Sequence, residues 1–352
     1  MQTIQINASK SYNIYVGNNI LTNCGELISS TKSYKKAVIV TDDIVDNLYA
    51  EIVETSLKNS GISTLKFVFK NGEESKSHEV LLTLFDFLVE NQVTRSDLII
   101  ALGGGVVGDL TGFASATYLR GVDFVQIPTT LLAQTDSSIG GKTAVNIASG
   151  KNLVGAFKQP ECVICDLSTL STLSDDIYAD GMSEVIKYAM IKSKSLFHTI
   201  ASGINEKNIE SIITECICIK KAVVEGDEFD KGERMLLNFG HTLGHAIEKY
   251  YNYTGITHGK AVAIGMMLIS SACEKNGLTS KGTTNELKQI LKKFGLPTDT
   301  EIPMKNLLEF CLNDKKRESD FINIIVASKI GESHIKKILV CDFYNLMEEE
   351  NV

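Results

Sequence analysis

The chain has 352 residues, of which 43% are hydrophobic and 22% charged, and its formal net charge is -8. This balance describes a folded globular protein with room for two cores, and excludes a disordered chain. An acidic chain lacks the basic surface that neutralises a phosphate backbone, and no apolar run reaches the roughly 18 residues that span a bilayer, so the expected partners include neither nucleic acid nor membrane.

The opening stretch MQTIQINASKSYNIYVG alternates polar and apolar residues and predicts a strand. It has neither the basic start nor the apolar run of a signal peptide, which predicts a cytoplasmic protein. Short apolar runs and helical patterns then alternate. AVIV at 37–40, DLIIALGGG at 97–105, DFVQIPTT at 123–130 and ECVICD at 161–166 read as strands, and 77–91 as a helix. Such alternation predicts a Rossmann-like parallel sheet covered on both faces, with ligands beyond the carboxyl ends of its strands. The eight cysteines are scattered. The one Cys-x-x-Cys, Cys162 to Cys165, falls in a strand, where residues three apart face opposite ways, so the thiols read as reduced and mostly core.

After about Ser174 helical segments follow one another, at 181–197, 208–224, 232–251, 259–276, 285–294 and 305–311. Only 321–327 and 335–340 read as strands, forming a late hairpin. The predicted organisation is an α/β domain over residues 1–175 and a mostly α-helical domain over 176–352.

Gly103-Gly104-Gly105-Val106-Val107-Gly108-Asp109 matches G-x-G-x-x-G at the end of a strand. Glycines there let backbone approach a pyrophosphate that helix amides then meet. The motif alone is weak, because it follows an interior strand and the acid about 20 residues on, Asp123, precedes its strand; a simple tight turn is the alternative. The stretches PTTLLAQTDSSIGGKTAVN (128–146) and GKNLVGAFKQP (150–160) combine small hydroxylated residues and glycine with Lys142 and Lys151. They suit phosphate and hydroxyl groups, or are two glycine-rich connections with solvated lysines.

Two of the six histidines, His241 and His245, stand four apart in a helical pattern and so share a face. His258 opens the next apolar helix, and Glu184 lies in an earlier one. Two imidazoles and a carboxylate with one open position commonly hold a catalytic zinc, whereas a histidine pair taken alone is more often structural. Thr242 stands where H-E-x-x-H would place its general base, which weakens a zincin reading. Glu184, Lys187 and Tyr188 share a helix face, and Lys220, Arg234, Asn238 and His245 cluster before and within the histidine helix. Buried on apolar helices, such groups need a ligand or metal to satisfy them.

Over nearly its whole length the sequence resembles the 3-dehydroquinate synthase family. The likeness rests on NGEESK (71–76), GGGVVGD, YLRG (118–121), PTTLLAQTDSSIGGKTAVN, GKN, GMSEVIKY, RMLLNFGHTLGHAIE and HGKAVAIGM, in that order. It implies Zn²⁺ or Co²⁺ bound by Glu184, His241 and His258. It implies NAD held by Asn71, Gly72, Glu73, Glu74, Ser75, Lys76, Gly104, Gly105, Val106, Val107, Gly108, Asp109, Thr129, Thr130, Lys142, Lys151, Thr169, Leu170, Ser171 and Thr172, with Asp42 near the adenosine ribose. Substrate contacts would fall on Arg120, Asp136, Lys142, Asn152, Lys187, Lys220, Arg234, Asn238, His245 and Lys316. The implied reaction converts 3-deoxy-D-arabino-heptulosonate 7-phosphate to 3-dehydroquinate and phosphate, by transient oxidation, phosphate elimination, reduction and intramolecular aldol closure. The substrate is an anionic sugar phosphate, and family analogy implies a homodimer. Asp230 departs from a common Glu, and Lys260 from a frequent Glu, so altered charge beside a metal ligand is expected. The rival readings are another sugar phosphate cyclase of the 2-deoxy-scyllo-inosose synthase type, an NAD-dependent polyol dehydrogenase, and a non-catalytic nucleotide-binding protein.

Overall fold

The computed structural model describes residues 1–313 and 320–348. Two compact units form, one of Met1–Leu173 with Lys220–Phe229 and the other of Ser174–Ile219 with Asp230–Val352.

The first unit contains β1 (Gln2–Asn7), β2 (Ser11–Gly17), α1 (Cys24–Thr31), β3 (Lys36–Asp42), α2 (Asp43–Val45), α3 (Glu51–Asn59), β4 (Ser63–Phe69), α4 (His78–Glu90), β5 (Leu98–Gly103), α5 (Gly105–Thr117), β6 (Asp123–Pro128), β7 (Lys142–Ile147), β8 (Gly150–Phe157) and β9 (Cys162–Asp166). Seven strands make one sheet in the order β1-β2-β9-β6-β5-β3-β4, parallel except for β1. Strands β5 and β9 are buried along their whole length, as expected when helices cover both faces. One face packs Ile39, Ile100 and Ile127 against Ile28 of α1 and Leu57 of α3. The other packs Val38, Ile99 and Phe124 against Leu84 of α4 and Leu110 of α5. The chain adds β4 on one side of β3 and β5 on the other, so the sheet reverses direction between β3 and β5. In open α/β sheets a crevice for ligands lies at such a reversal.

Two expectations change here. The N-terminal alternation is two antiparallel strands, β1 and β2, and not one. Residues 142–157 are not a connection but the hairpin β7–β8, with a bulge between Val145 and Ile147. Its glycines hide the alternation and one of them is required: a Cβ on Gly155 would lie 2.1 Å from the Thr143 carbonyl oxygen. All eight cysteines are free thiols and six of them are buried.

The second unit holds α6 (Asp175–Lys192), α7 (Lys194–Ser202), most of α8 (Ile209–Gly226), α9 (His241–Tyr250), α10 (His258–Lys275), α11 (Thr283–Lys293), α12 (Met304–Asn313), the hairpin β10 (Phe321–Lys329) with β11 (Glu332–Leu339), and α13 (Val340–Glu348). Ser174 caps α6 by accepting from the Ile177 N–H, and Asp175 and Asp176 sit in the first turn, where the helix dipole favours them. The helix expected over 181–197 is two helices, because Ser193 is extended and its hydroxyl accepts from the Leu196 N–H to start α7. Likewise 232–251 is split: a 3₁₀ turn, Glu233–Asn238, is followed by Gly240 at φ 80, and only then by α9. Among the described residues no helix is long and apolar enough to cross a membrane.

Backbone contact sets the spacing of α6, α9 and α10. A Cβ on Gly259 would lie 2.1 Å from the Asp180 carbonyl oxygen in α6, and one on Gly265 would lie 2.1 Å from the Gly240 carbonyl oxygen at the start of α9. Neither neighbour is a side chain that could swing away. We expect Gly265→Ala to lower the unfolding free energy by about 1–3 kcal/mol in urea titration. Gly226→Ala, whose Cβ would meet nothing within 4 Å, should stay within about 0.5 kcal/mol. Equal stability of the two variants would contradict the close-packing account.

Candidate metal centre and nucleotide site

Glu184 sits mid-way along α6 and is 1% exposed. His241 is the first residue of α9 and His258 the first of α10, so two helix starts converge on that carboxylate. The ligand atoms of the three residues lie within 4.8 Å of one another. Glu184 Oε1 is 3.5 Å from His241 Nε2 and 3.7 Å from His258 Nε2. Neither Glu184 oxygen has a hydrogen-bond partner. Its charge is met by ion pairs, with the Lys187 ammonium one turn on beside Oε2. A buried carboxylate without hydrogen bonds is costly unless a cation compensates it.

The far side of each imidazole is engaged as well. His241 Nδ1 is 3.1 Å from the Phe239 carbonyl oxygen and His258 Nδ1 is 3.2 Å from Glu248 Oε2. A carbonyl and a carboxylate accept, so both Nδ1 atoms donate and both Nε2 atoms are the ones aimed at Glu184. Outer hydrogen bonds of this kind fix the ring orientation of metal-binding histidines. Burial, with the nearby Lys187 ammonium and the other two histidines, holds His241 well below its ordinary pKa, leaving Nε2 a lone pair to donate. Burial pushes His258 down too, but its contacts with Glu184 and Glu248 reverse this and raise it to about 10. These residues fit a divalent cation of the zinc or cobalt type, bound by two nitrogens and one oxygen.

The other predicted residues of this unit lie close by in sequence, but not all are enclosed. Lys187 and Arg234 are 1% and 2% exposed, while Asn238 and His245 are exposed. The His245 ring centroid is 5.5 Å from that of His241 and 5.9 Å from that of His258. A second set of possible ligands, His245, Glu248 and His258, is also compact. Lys316 lies outside the described residues. Sequence reasoning missed Glu248, whose signal was a carboxylate at an otherwise apolar position of α9; it is 1% exposed. Lys260 does not add an unpaired charge beside His258: its Nζ is 2.9 Å from Asp176 Oδ1. Asp230 takes a left-handed φ of 57, which Asp tolerates.

In the first unit, Gly104 precedes α5 at the carboxyl end of β5, and the first turn of that helix has no side-chain cap and no acidic residue. Its free amides suit an anion. Thr129 and Thr130 follow β6 directly. Lys76 is buried and its Nζ reaches Asp109 Oδ2 at 2.5 Å and Asn152 Oδ1 at 2.6 Å. Burial raises the Asp109 carboxyl above its usual range despite that ammonium. Lys151 Nζ is 3.9 Å from Glu73 Oε1. The Lys220 ammonium pairs with the Asp136 carboxylate and is 2.6 Å from the Asp136 carbonyl oxygen. Arg120 follows Leu119 in a tandem left-handed turn, φ 63 and 49. Some side chains are already committed. Asp42 Oδ1 accepts from the Ile44 and Val45 N–H groups, Thr169 is fully buried with its hydroxyl donating to the Asp166 carbonyl, and the Thr172 hydroxyl is 2.5 Å from that of Tyr49.

The sequence matches the family models for the 3-dehydroquinate synthase N-terminal region over residues 66–180 and C-terminal region over 181–317. It is 46% identical over 344 residues to the 3-dehydroquinate synthase of Clostridium acetobutylicum, covering 96% of this chain and 97% of that one. It is 45% identical over 358 residues to that of Clostridium kluyveri, covering 100% of both. The fold superposes on a 2-deoxy-scyllo-inosose synthase solved with carbaglucose-6-phosphate, NAD⁺ and Co²⁺, with a TM-score of 0.85, 26% identity and 99% coverage of each chain. The chain belongs to the 3-dehydroquinate synthase family.

If Glu184, His241 and His258 hold a divalent cation, Glu184→Gln should weaken Zn²⁺ binding by more than about 100-fold, and Glu248→Gln by about 10- to 100-fold. His198→Ala, an exposed histidine elsewhere on the unit, should leave it unchanged. Competition against a chromophoric chelator measures all three. Wild-type affinity in Glu184→Gln would contradict the assignment.

Proposed function

We propose that the protein is a lyase that converts 3-deoxy-D-arabino-heptulosonate 7-phosphate to 3-dehydroquinate and inorganic phosphate, with NAD and Zn²⁺ or Co²⁺ as cofactors. The observation that carries this reading is the identity of 45–48% over nearly the whole chain with 3-dehydroquinate synthases. The meeting of Glu184, His241 and His258 supports it. When bound, NAD would supply a reversible hydride acceptor for one carbinol, and the cation would supply the Lewis acidity that makes its hydroxyl more acidic.

The chain's own residues supply position and charge. In the second unit, Glu184, His241 and His258 hold the cation, and Lys187, Arg234, Asn238 and His245 meet the substrate. Lys187 has a further task, since its ammonium offsets the Glu184 carboxylate whether or not substrate is present. In the first unit, the turn at residues 71–76, the start of α5, and Thr129, Thr130 and Lys151 hold the nucleotide. Arg120, Lys142 and Lys220 supply cations suited to a phosphate and a carboxylate, with Asp136 orienting Lys220 and Asn152 offering its amide. The Asp136 pairing removes some of the desolvation cost of a lysine that is 5% exposed. A homodimer in the cytoplasm completes the proposal, and sedimentation velocity tests the assembly.

Incubation with the heptulosonate phosphate and catalytic NAD⁺ should release one phosphate per 3-dehydroquinate with no accumulation of NADH. Prolonged chelation should abolish turnover, and added Zn²⁺ or Co²⁺ should restore it. Lys142→Ala should lower kcat/KM by about 10- to 100-fold, the worth of one charged hydrogen bond. Stoichiometric NADH would favour a polyol dehydrogenase instead, and turnover of a hexose 6-phosphate with none of the heptulosonate would favour the scyllo-inosose type of cyclase.

A further inference from the structure

Asn146 has no part in the roles described so far, yet it joins three segments of the first unit. It stands at the bulge between Val145 and Ile147, where β7 leaves its ladder with β8 and makes an isolated parallel bridge to Ser77. Bulges next to functional sites commonly re-aim a side chain. Here the Asn146 N–H donates to the Lys76 carbonyl at 2.7 Å, its Nδ2 donates to Glu73 Oε1 at 2.8 Å, and its Oδ1 accepts from the Asn152 N–H at 3.0 Å. The amide orientation is forced, because a carboxylate only accepts and a backbone N–H only donates.

The consequence reaches Asn152. That residue takes a left-handed φ of 57, a conformation Asn tolerates better than most side chains. The Asn146 oxygen holds its N–H. Asn152 Oδ1 then accepts from Lys76 Nζ at 2.6 Å, and the same ammonium reaches Asp109 Oδ2 at 2.5 Å. Glu73, Asn146, Asn152 and Lys76 thus form a closed circuit between the turn at residues 71–76 and the hairpin β7–β8. Asn146 is the member whose side chain both donates and accepts, so neither an acid nor an aliphatic side chain can replace it.

We propose that Asn146 is a positioning residue that fixes Asn152 and the Glu73–Lys76 turn as one unit. This rests on the reading of Glu73 and Lys76 as cofactor residues and of Asn152 as a substrate residue. The test combines steady-state kinetics with the heptulosonate phosphate, calorimetric titration with NAD⁺, and thermal melting. Asn146→Ala should raise the substrate KM and the NAD⁺ Kd by about tenfold each, with little change in Tm. Introduced into an Asn152→Ala background, it should change KM by less than about twofold, because its effect on substrate passes through Asn152. Full additivity, or unchanged constants in Asn146→Ala, overturns the proposal alone. Unchanged constants in Asn152→Ala and Lys76→Ala overturn the site reading and the proposal with it. Should Asn146→Ala fail to fold, Asn146→Asp keeps the shape and the acceptor but sets two carboxylates face to face. It should weaken NAD⁺ binding and raise the substrate KM with little change in Tm; wild-type constants overturn the proposal.

Discussion

A carboxylate at 1% exposure in the middle of a helix is the constraint that organises the second unit. Burying a carboxylate there is costly unless positive charge or a metal faces it, and its oxygens have no hydrogen bonds to share the cost. Three elements answer it. The next turn of α6 brings Lys187, α9 begins with His241 and α10 begins with His258. Those helix starts can come so near only because Gly259 and Gly265 admit backbone where any Cβ would collide. The Phe239 carbonyl and the Glu248 carboxylate then occupy the two Nδ1 atoms, which leaves both Nε2 atoms for whatever the carboxylate shares.

The first unit meets a different constraint: it buries two lysines, Lys76 and Lys220, each 5% exposed, against partners of their own. At the reversal between β3 and β5 the chain offers backbone amides at the start of α5, with no acidic side chain in that turn. Cations come from the turn at residues 71–76 and from α8. Their own partners hold them in place, as with Lys76 between Asp109 and Asn152 and Lys220 against Asp136. A lysine fixed by two acceptors loses less side-chain freedom on meeting a ligand than a solvated one.

Much of this was legible in the sequence where one rule dominates. Buried parallel strands are apolar on both faces, so β3, β5, β6 and β9 read directly as apolar runs. Legibility failed where a break lies inside a continuous apolar pattern. Ser193 ends α6 and Gly240 delays α9, but helical periodicity runs past both. In the hairpin β7–β8 glycine and lysine mask the alternation, and the reason for Gly155 is a carbonyl across the strand pair. Among the histidines, spacing by itself could not choose between His241 and His245. The choice depends on α9 starting at His241, so that this ring points toward α6. The partners of Glu248 and Asn146 were hidden for a related reason: each acts on a group from another segment, His258 ten residues away and Glu73 seventy-three away. The Lys260 departure also looked different in sequence, because Asp176, which pairs with it, lies 84 residues earlier.

The central claim is that one cation belongs to Glu184, His241 and His258. Anomalous diffraction at the zinc edge, on crystals of the protein grown with Zn²⁺, tests it most directly. The account predicts a single strong peak bounded by the Glu184 carboxylate and by Nε2 of both histidines, with the Nδ1 contacts to Phe239 and Glu248 kept. A peak bounded by His245, Glu248 and His258, with Glu184 outside the coordination sphere, would contradict it.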